Sequence, residues 1–423
     1  MWRRLYSFFL IFALPFILLR LFFKKRSAPH YAQRVGERFA LSLPITQPCI
    51  WIHTVSVGEF LAALPLVRAL LQKEKIPILI TTMTPTASHQ VQAILGDLVH
   101  HCYAPYDFSW CINKFIRTVR PKILIVFETE IWPNWLYFCS KNNIPSVLVN
   151  ARLSHKSYLK YKKLTGFSRE IFSLFSYVLS NEQEDADRFV ALGVNAQKIT
   201  VTGNIKFDLQ LSVNLNEKIV ALRRRIGSRK VWIAASTHEG EENILLEAHR
   251  RLLHKIPDLL LILVPRHPER FHKVEQLIEK NNFIYSLKTK LKGDVTSDIQ
   301  VLLGDTMGEL LLLYGVSNVA FVAGSLIPRG GHNIIEPLTL KIPTIVGSYV
   351  FNFEAVVNQF LEVGAIIQVK EGDSLQKSVL DLLQDEKRVN YMMEHAQAIL
   401  EKNKGALVRQ LEVISEVLNG KKN

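Results

Sequence analysis

Cysteine is scarce in this chain. Cys49, Cys102, Cys111 and Cys139 are all it has in 423 residues, with no CxxC and no histidine spaced from them as a zinc ligand would be. A disulfide framework or a zinc site is therefore not expected, and a reducing compartment fits. The 13 histidines include no HExxH or comparable pair on one helical face, and no Gly-Lys-Ser/Thr loop occurs, which argues against a helix-borne metal pair and against ATP hydrolysis. Internal repeats and low-complexity tracts are also missing.

Acid is in short supply. Asp and Glu number 38 against 52 Lys and Arg, a net charge of +14. Half of that excess lies in residues 1–40, where Arg3, Arg4, Arg20, Lys24, Lys25, Arg26, Arg34 and Arg38 face Glu37 alone. A nucleic-acid binder would spread a basic face through a folded domain. Here the charge flanks an apolar run, Leu5 to Phe23, broken only by Ser7, Pro15 and Arg20. As a helix this run would measure roughly 28 Å, near the thickness of a bilayer's hydrocarbon. Phe22 and Phe23 lead straight into Lys24-Lys25-Arg26 with no small-residue cleavage site. The segment thus reads as an uncleaved membrane anchor, spanning or lying in one leaflet, and one separable from the folded core.

The length suits two or three domains. From Ile50 onward, short β-branched runs alternate with helical stretches. Strands are expected at Ile50–His53, Ile78–Thr81, Val99–Tyr103, Ile123–Phe127, Ser146–Val149, Tyr177–Ser180 and Ile199–Val201. A second series follows at Val231–Ala234, Leu259–Val264, Val301–Leu303, Val319–Val322 and Thr344–Val346. Continuous apolar strands with helical crossovers predict parallel sheets buried on both faces. The α/β chain is therefore divided into an anchor (1–26), a first Rossmann-like domain (27–208) and a second (209–423), two doubly wound domains facing a cleft.

Chemistry is expected at the carboxyl ends of these strands. Ser56-Val57-Gly58-Glu59 opens a helix. Glu59 could act as a general base, although a helix dipole would also favour an acid there. Glu128-Thr129-Glu130-Ile131-Trp132-Pro133-Asn134 follows the fourth strand with two close carboxylates. Residues 152–169 hold Arg152, Lys156, Lys160, Lys162, Lys163 and Arg169 with Tyr158, Tyr161 and Phe167 interleaved, which suits either a solvated helix or a surface for lipid phosphates. Lys206, in Gly203–Asp208 near the domain junction, could neutralise a phosphate or carboxylate. In the second domain, Arg266 suits a phosphate through its planar donor fork, residues 304–309 open a helix with free N–H groups, and a Gly-rich loop runs from Gly324 to Asn333. Glu336, one turn further, could accept ribose hydroxyls. Asp185-Ala186-Asp187 looks like a metal motif but lies in an amphipathic helical stretch, so no metal is assigned to it.

Eight blocks in this order resemble one family. They are Ser-Val-Gly-Glu at 56–59, Glu-Thr-Glu-Ile-Trp-Pro-Asn at 128–134, Asn-Ala-Arg-Leu-Ser at 150–154, Gly-Asn-Ile-Lys-Phe-Asp at 203–208, Ser-Thr-His-Glu-Gly-Glu at 236–241, Pro-Arg-His-Pro-Glu-Arg at 265–270, Gly-Asp-Thr-Met-Gly-Glu-Leu at 304–310 and Arg-Gly-Gly-His-Asn at 329–333. Together they resemble the Kdo (3-deoxy-D-manno-octulosonic acid) transferases. The resemblance implies a GT-B fold, a CMP-Kdo donor, a lipid A precursor (lipid IVA) as acceptor, and residence at the cytoplasmic face of a Gram-negative inner membrane. It implies an inverting transfer without metal or other cofactor and without nucleic acid as partner. Glu59 would then be the proton acceptor, with Glu128, Glu130 and Lys206 stabilising the transition state. Arg266, His267, Met307, Gly308, Glu309, Asn333 and Glu336 would hold CMP. A sugar-nucleotide epimerase of the same architecture is the alternative.

Overall fold

The structure, a computed structural model, describes residues 2–27, 34–209, 211, 214–291 and 293–420. Parts of the expected domain junction (210, 212 and 213) and the last three residues of the tail lie outside that set, as do the side chains of Arg20, Lys24, Lys25 and Arg26. The chain forms two compact units, residues 1–208 with 403–423, and residues 209–402.

The first unit contains a seven-stranded, all-parallel sheet. Its strands are β1 (Cys49–His53), β2 (Ile78–Thr82), β3 (His100–Tyr103), β4 (Pro121–Phe127), β5 (Ser146–Ala151), β6 (Tyr177–Ser180) and β7 (Ile199–Val201), in the order β3-β2-β1-β4-β5-β6-β7. Period-two alternation sends successive side chains to opposite faces. Trp51, Leu79, Leu124, Val126 and Leu148 enter one apolar cluster, and Ile50, Ile52, Ile80, Ile123, Ile125 and Val149 enter the other. Each face needs cover, which is why the central strands are mostly apolar on both faces.

The two ends of the chain supply part of that cover. Leu10 and Leu14 of the N-terminal helix Trp2–Ser27 pack against the first cluster. Leu407, Val413, Ile414 and Val417 of the C-terminal helix Ala406–Leu418 join the second. The expectation that 209–423 is one domain is therefore corrected. Asp208 accepts hydrogen bonds from the Gly405 and Leu407 N–H groups at 3.3 and 2.9 Å, and the helix returns to the first sheet.

In the expected anchor, what the structure corrects is its separability from the folded core. Residues 2–27 do form a helix, but among the described residues no helix is long and apolar enough to cross a membrane. Nor is the helix set apart from the core. Arg3 Nη1 donates to Asn134 Oδ1 at 2.7 Å and its guanidinium lies 3.6 Å from the Tyr137 ring centre. The Ser7 hydroxyl reaches the same Asn134 oxygen at 3.0 Å. The Tyr6 hydroxyl bonds Asp107, whose buried carboxylate also accepts the N–H groups of Asn134 and Trp135 at 3.1 Å each. One side of this helix is thus bonded to the domain. The opposite side exposes Phe8, Phe9, Phe12 and Phe16, each more than half accessible.

The second unit repeats the design. Its strands are β8 (Val231–Thr237), β9 (Leu260–Pro265), β10 (Tyr285–Leu287), β11 (Val301–Leu303), β12 (Val319–Val322), β13 (Thr344–Val346) and β14 (Ile366–Gln368), in the order β10-β11-β9-β8-β12-β13-β14. Strands β10 and β14 were not expected. Both are three-residue sheet edges and mostly half-buried, so they lack the apolar run that marks an interior strand.

Candidate active site

Each sheet has one place where the strand order reverses. In the first unit it falls between β1 and β4, paired His53 to Val126. In the second it falls between β8 and β12, paired Ala235 to Val322. Loops leaving the carboxyl ends of such strands diverge and leave a crevice. The candidate residues gather at these two points.

At the first, β1 runs into the helix Val57–Lys73 through Ser56, which caps it. The Glu59 carboxylate folds back on this turn. Val55 N–H donates to Oε2 at 2.7 Å, the Ser56 hydroxyl donates to Oε1 at 3.1 Å, and the Ser56 oxygen accepts the Glu59 N–H at 3.4 Å. Ser56 caps the helix through the Glu59 N–H, so the helix-start explanation weighed for Glu59 is geometrically real. It does not decide the chemistry. Hydrogen bonds to a carboxylate should depress its pKa, yet burial outweighs them, and with the nearby charges of Glu128 and Glu130 it pushes Glu59 up to about 7. A carboxyl poised there can both take and release a proton near neutral pH.

Glu128 leaves β4 with φ of 60°, a left-handed conformation that costs a non-glycine residue energy. Its N–H is held by Val149 O at 2.9 Å. Its carboxylate pairs with Lys206 Nζ at 2.7 Å, each side chain 30% exposed. Burial, with Glu128 nearby, also raises Glu130. The structure therefore brings Glu59, Glu128, Glu130 and Lys206 together.

Lys206 is held by Asn150, whose motif gave no hint of this role, and by Gln410, which no motif marked. Its turn, Ile205–Phe207, begins at Ile205 N–H, which donates 2.9 Å to Asn150 Oδ1. Asn150 N–H donates in turn to Gln410 Oε1 of the C-terminal helix at 3.2 Å, and Gln410 Nε2 reaches Thr202 Oγ1 and Gly203 O at 3.0 and 3.2 Å. Asn150 is thus a bracket, while the rest of its motif points elsewhere. Arg152 and the lysines at 156, 160, 162 and 163 are exposed. The end of this basic stretch meets the N-terminal helix: Phe167 lies 6.0 Å from Tyr6, and Trp2 N–H bonds Glu170 at 3.0 Å. Asp185 is engaged by its own domain. It accepts Leu153 N–H at 3.0 Å and pairs with Arg188 at 3.1 Å.

At the second crevice the Gly-rich loop is arranged differently from the expectation. The N–H groups of Gly324, Ser325 and Leu326 point at the buried Glu241 carboxylate, at 2.8, 3.1 and 3.0 Å, and so does His238 N–H at 3.1 Å. These amides are spent on the protein's own acid and are not free for a phosphate. Glu241 belongs to the Ser-Thr-His-Glu-Gly-Glu block, but from the sequence it had no role. Gly330 and Gly331 keep positive φ, and a side chain at Gly330 would collide with Phe351 and Asn352.

Open, positively charged side chains remain. Arg266 follows β9 and lies near Glu336, opposing the effect of burial, which raises that carboxyl. Asn333 Nδ2 donates to Glu336 Oε1 at 3.2 Å. The His267 ring lies 5.6 Å from that of His238. On the other side of β9, the loop after β11 carries an exposed Met307, Gly308 at φ 78° and Glu309, whose carboxylate meets Lys288 at 3.5 Å. Arg266, His267, Asn333 and Glu336 thus gather in one neighbourhood, with Met307, Gly308 and Glu309 on the loop of the adjacent strand.

Known proteins share this plan. Residues 33–209 match the family described as 3-deoxy-D-manno-octulosonic-acid transferase (kdotransferase), and residues 228–399 match glycosyl transferases group 1. The 3-deoxy-D-manno-octulosonic acid transferase of Haemophilus influenzae is 41% identical over 99% of both chains, and that of Bordetella pertussis is 32% identical over 92% of both. Among solved structures, Staphylococcus aureus MnaA with UDP aligns over 88% of this chain and 97% of its own, with a TM-score of 0.50 and 17% identity. At that identity the likeness concerns the fold, the paired α/β domains of the GT-B class.

Proposed function

This chain belongs to the 3-deoxy-D-manno-octulosonic acid transferases and is a glycosyltransferase, and on that premise we propose that it moves Kdo from CMP-Kdo to a lipid A precursor, with Glu59 as general base. The observation that carries this reading is the Glu59 carboxyl, raised to about 7 beside Glu128 and Glu130. As an acceptor hydroxyl attacks the anomeric carbon, its proton passes to Glu59. The bond from that carbon to the CMP oxygen breaks on the opposite face, which inverts the centre. Lys206, with Glu128 and Glu130, sets the charge at the acceptor side, while Arg266 and His267 meet the phosphate and Asn333 and Glu336 the rest of the nucleotide. No covalent enzyme intermediate is needed.

The acceptor would be met at a membrane surface. The aromatic side of the N-terminal helix and the exposed cations at 152–163 support attachment to the cytoplasmic face of an inner membrane, with the helix lying in the interface. The epimerase alternative has no comparable support, since the family match over residues 33–209 and the 41% identical relative are transferases.

The test is mass spectrometry of the product formed by purified protein from CMP-Kdo and lipid IVA, which also counts the Kdo units added. A protein that consumes CMP-Kdo equally well without lipid, or converts a UDP-sugar to its epimer, would refute the reading.

A further inference from the structure

Two imidazoles of the second unit meet nitrogen to nitrogen. His238, after β8, and His332, after β12, place their Nε2 atoms 2.8 Å apart, with the rings nearly parallel at 11° and centroids 5.1 Å apart. Such an approach requires a hydrogen between the nitrogens, one donating and the other accepting. Both rings pack over Gly324, where a side chain would strike His332 at 3.0 Å and His238 at 3.4 Å.

The charges around the pair are one-sided. Arg266, His267 and Arg270 face it from the loop after β9, and Arg329 from the loop after β12. The acids nearby are occupied: Glu242 is paired with Arg270, Glu241 holds four backbone N–H groups, and Glu336 bonds Asn333. Burial, and after it these cations, hold His238 down to about 4 and His332 to about 3, so without an anion the pair is neutral at pH 7.

We propose that the His238–His332 pair takes up one proton when a nucleotide phosphate binds at this crevice, becoming an imidazolium hydrogen-bonded to an imidazole. The proposal rests on reading the second unit as the donor side. An arriving phosphate cancels the cationic field that suppresses protonation, and the N–H⁺···N contact is charge-assisted and stronger than its neutral form. Linkage makes the effect reciprocal: lower pH tightens phosphate binding, and bound phosphate raises the pair's proton affinity. The cradle thus gains a positive charge only when there is an anion to receive it.

The test is calorimetric titration of full-length protein with CMP, near pH ~6 and ~8, in two buffers of different ionisation enthalpy. Wild type should take up at least about half a proton more per CMP at the lower pH than His332→Gln or His238→Gln, both of which still bind CMP more weakly. Protonation of the phosphate itself is common to all three proteins and cancels in the comparison. Should a variant fail to fold, ¹⁵N imidazole shifts of the wild type on CMP addition report the same event. Equal uptake in all three proteins, or unmoved imidazole shifts, would overturn this proposal alone. Failure of wild type to bind CMP would overturn the donor-side reading and this proposal with it.

Discussion

Lys206 Nζ lies 2.7 Å from Glu128 Oε1, across 78 residues of sequence. The pair sits where β4 ends and where the C-terminal helix braces the 202–206 loop, so its geometry is imposed from three separate parts of the chain. Both side chains are 30% exposed, and water screens the attraction. Lys206→Met should therefore cost less than ~1 kcal/mol in a urea melt. If the ammonium stabilises charge in the transition state, turnover should fall on the order of 10²-fold. Turnover within twofold of wild type would remove Lys206 from the mechanism.

Glu59→Gln keeps the Val55 and Ser56 side of the turn nearly isosteric but cannot accept a proton. CMP affinity should be unchanged by calorimetry, with turnover lower by at least ~10²-fold. Near-normal turnover excludes Glu59 as the base.

The pH profile follows from the direction of its shift. A base must be ionised, and Glu59 is protonated below about 7, so turnover should rise with pH and level off above that value. An unshifted carboxyl would place the acid limb near 4.5, its ordinary value. Glu128→Gln removes one of the charges that raise Glu59, so the limb should move to lower pH in that variant. For stability the sign is opposite: the proton held by the folded state favours folding at low pH, and this contribution is lost as pH rises through about 7.

Tyr6→Phe tests whether the N-terminal helix is structural. It strips Asp107 of a donor within a buried network and should lower the stability of the first unit by about 1–3 kcal/mol, read as a shift in urea midpoint. Arg3→Ala should act in the same direction through Asn134. No shift in either variant would restore the expectation of a separable anchor.

Glu241→Ala would orphan four N–H groups at once, the buried ones of Gly324 and Ser325 and the half-buried ones of His238 and Leu326. A loss of at least ~3 kcal/mol is expected, together with weaker CMP binding as the loop relaxes. Wild-type CMP affinity in a folded Glu241→Ala protein would show that the loop takes no part in holding the nucleotide.

The interior strands and the acids at their ends were legible because each leaves a local mark. β1, β4 and β8 each carry a run of apolar residues, and Glu128 follows β4 directly while Glu59 lies in the first turn of the helix after β1. The Gly-rich loop from Gly324 was legible as a turn, but its amides were assigned to a ligand because nothing nearby in sequence shows that Glu241, 83 residues earlier, fills them. Arg3 and Tyr6 looked like decoration on an apolar segment, since their partners Asn134 and Asp107 are more than 100 residues away.

Sequence alone determined the alternation of strand and helix, the parallel pairing that follows from it, and the set of ionisable groups delivered to the strand ends. Tertiary structure decided which of those groups meet, which backbone amides are already satisfied, and to which unit each end of the chain belongs. It also decided the proton affinity of Glu59, where two local hydrogen bonds favour the charged form and burial by distant residues overrides them. The division has a physical origin: periodicity and turn chemistry act over a few residues, whereas desolvation and long-range hydrogen bonds depend on everything packed within a few ångströms.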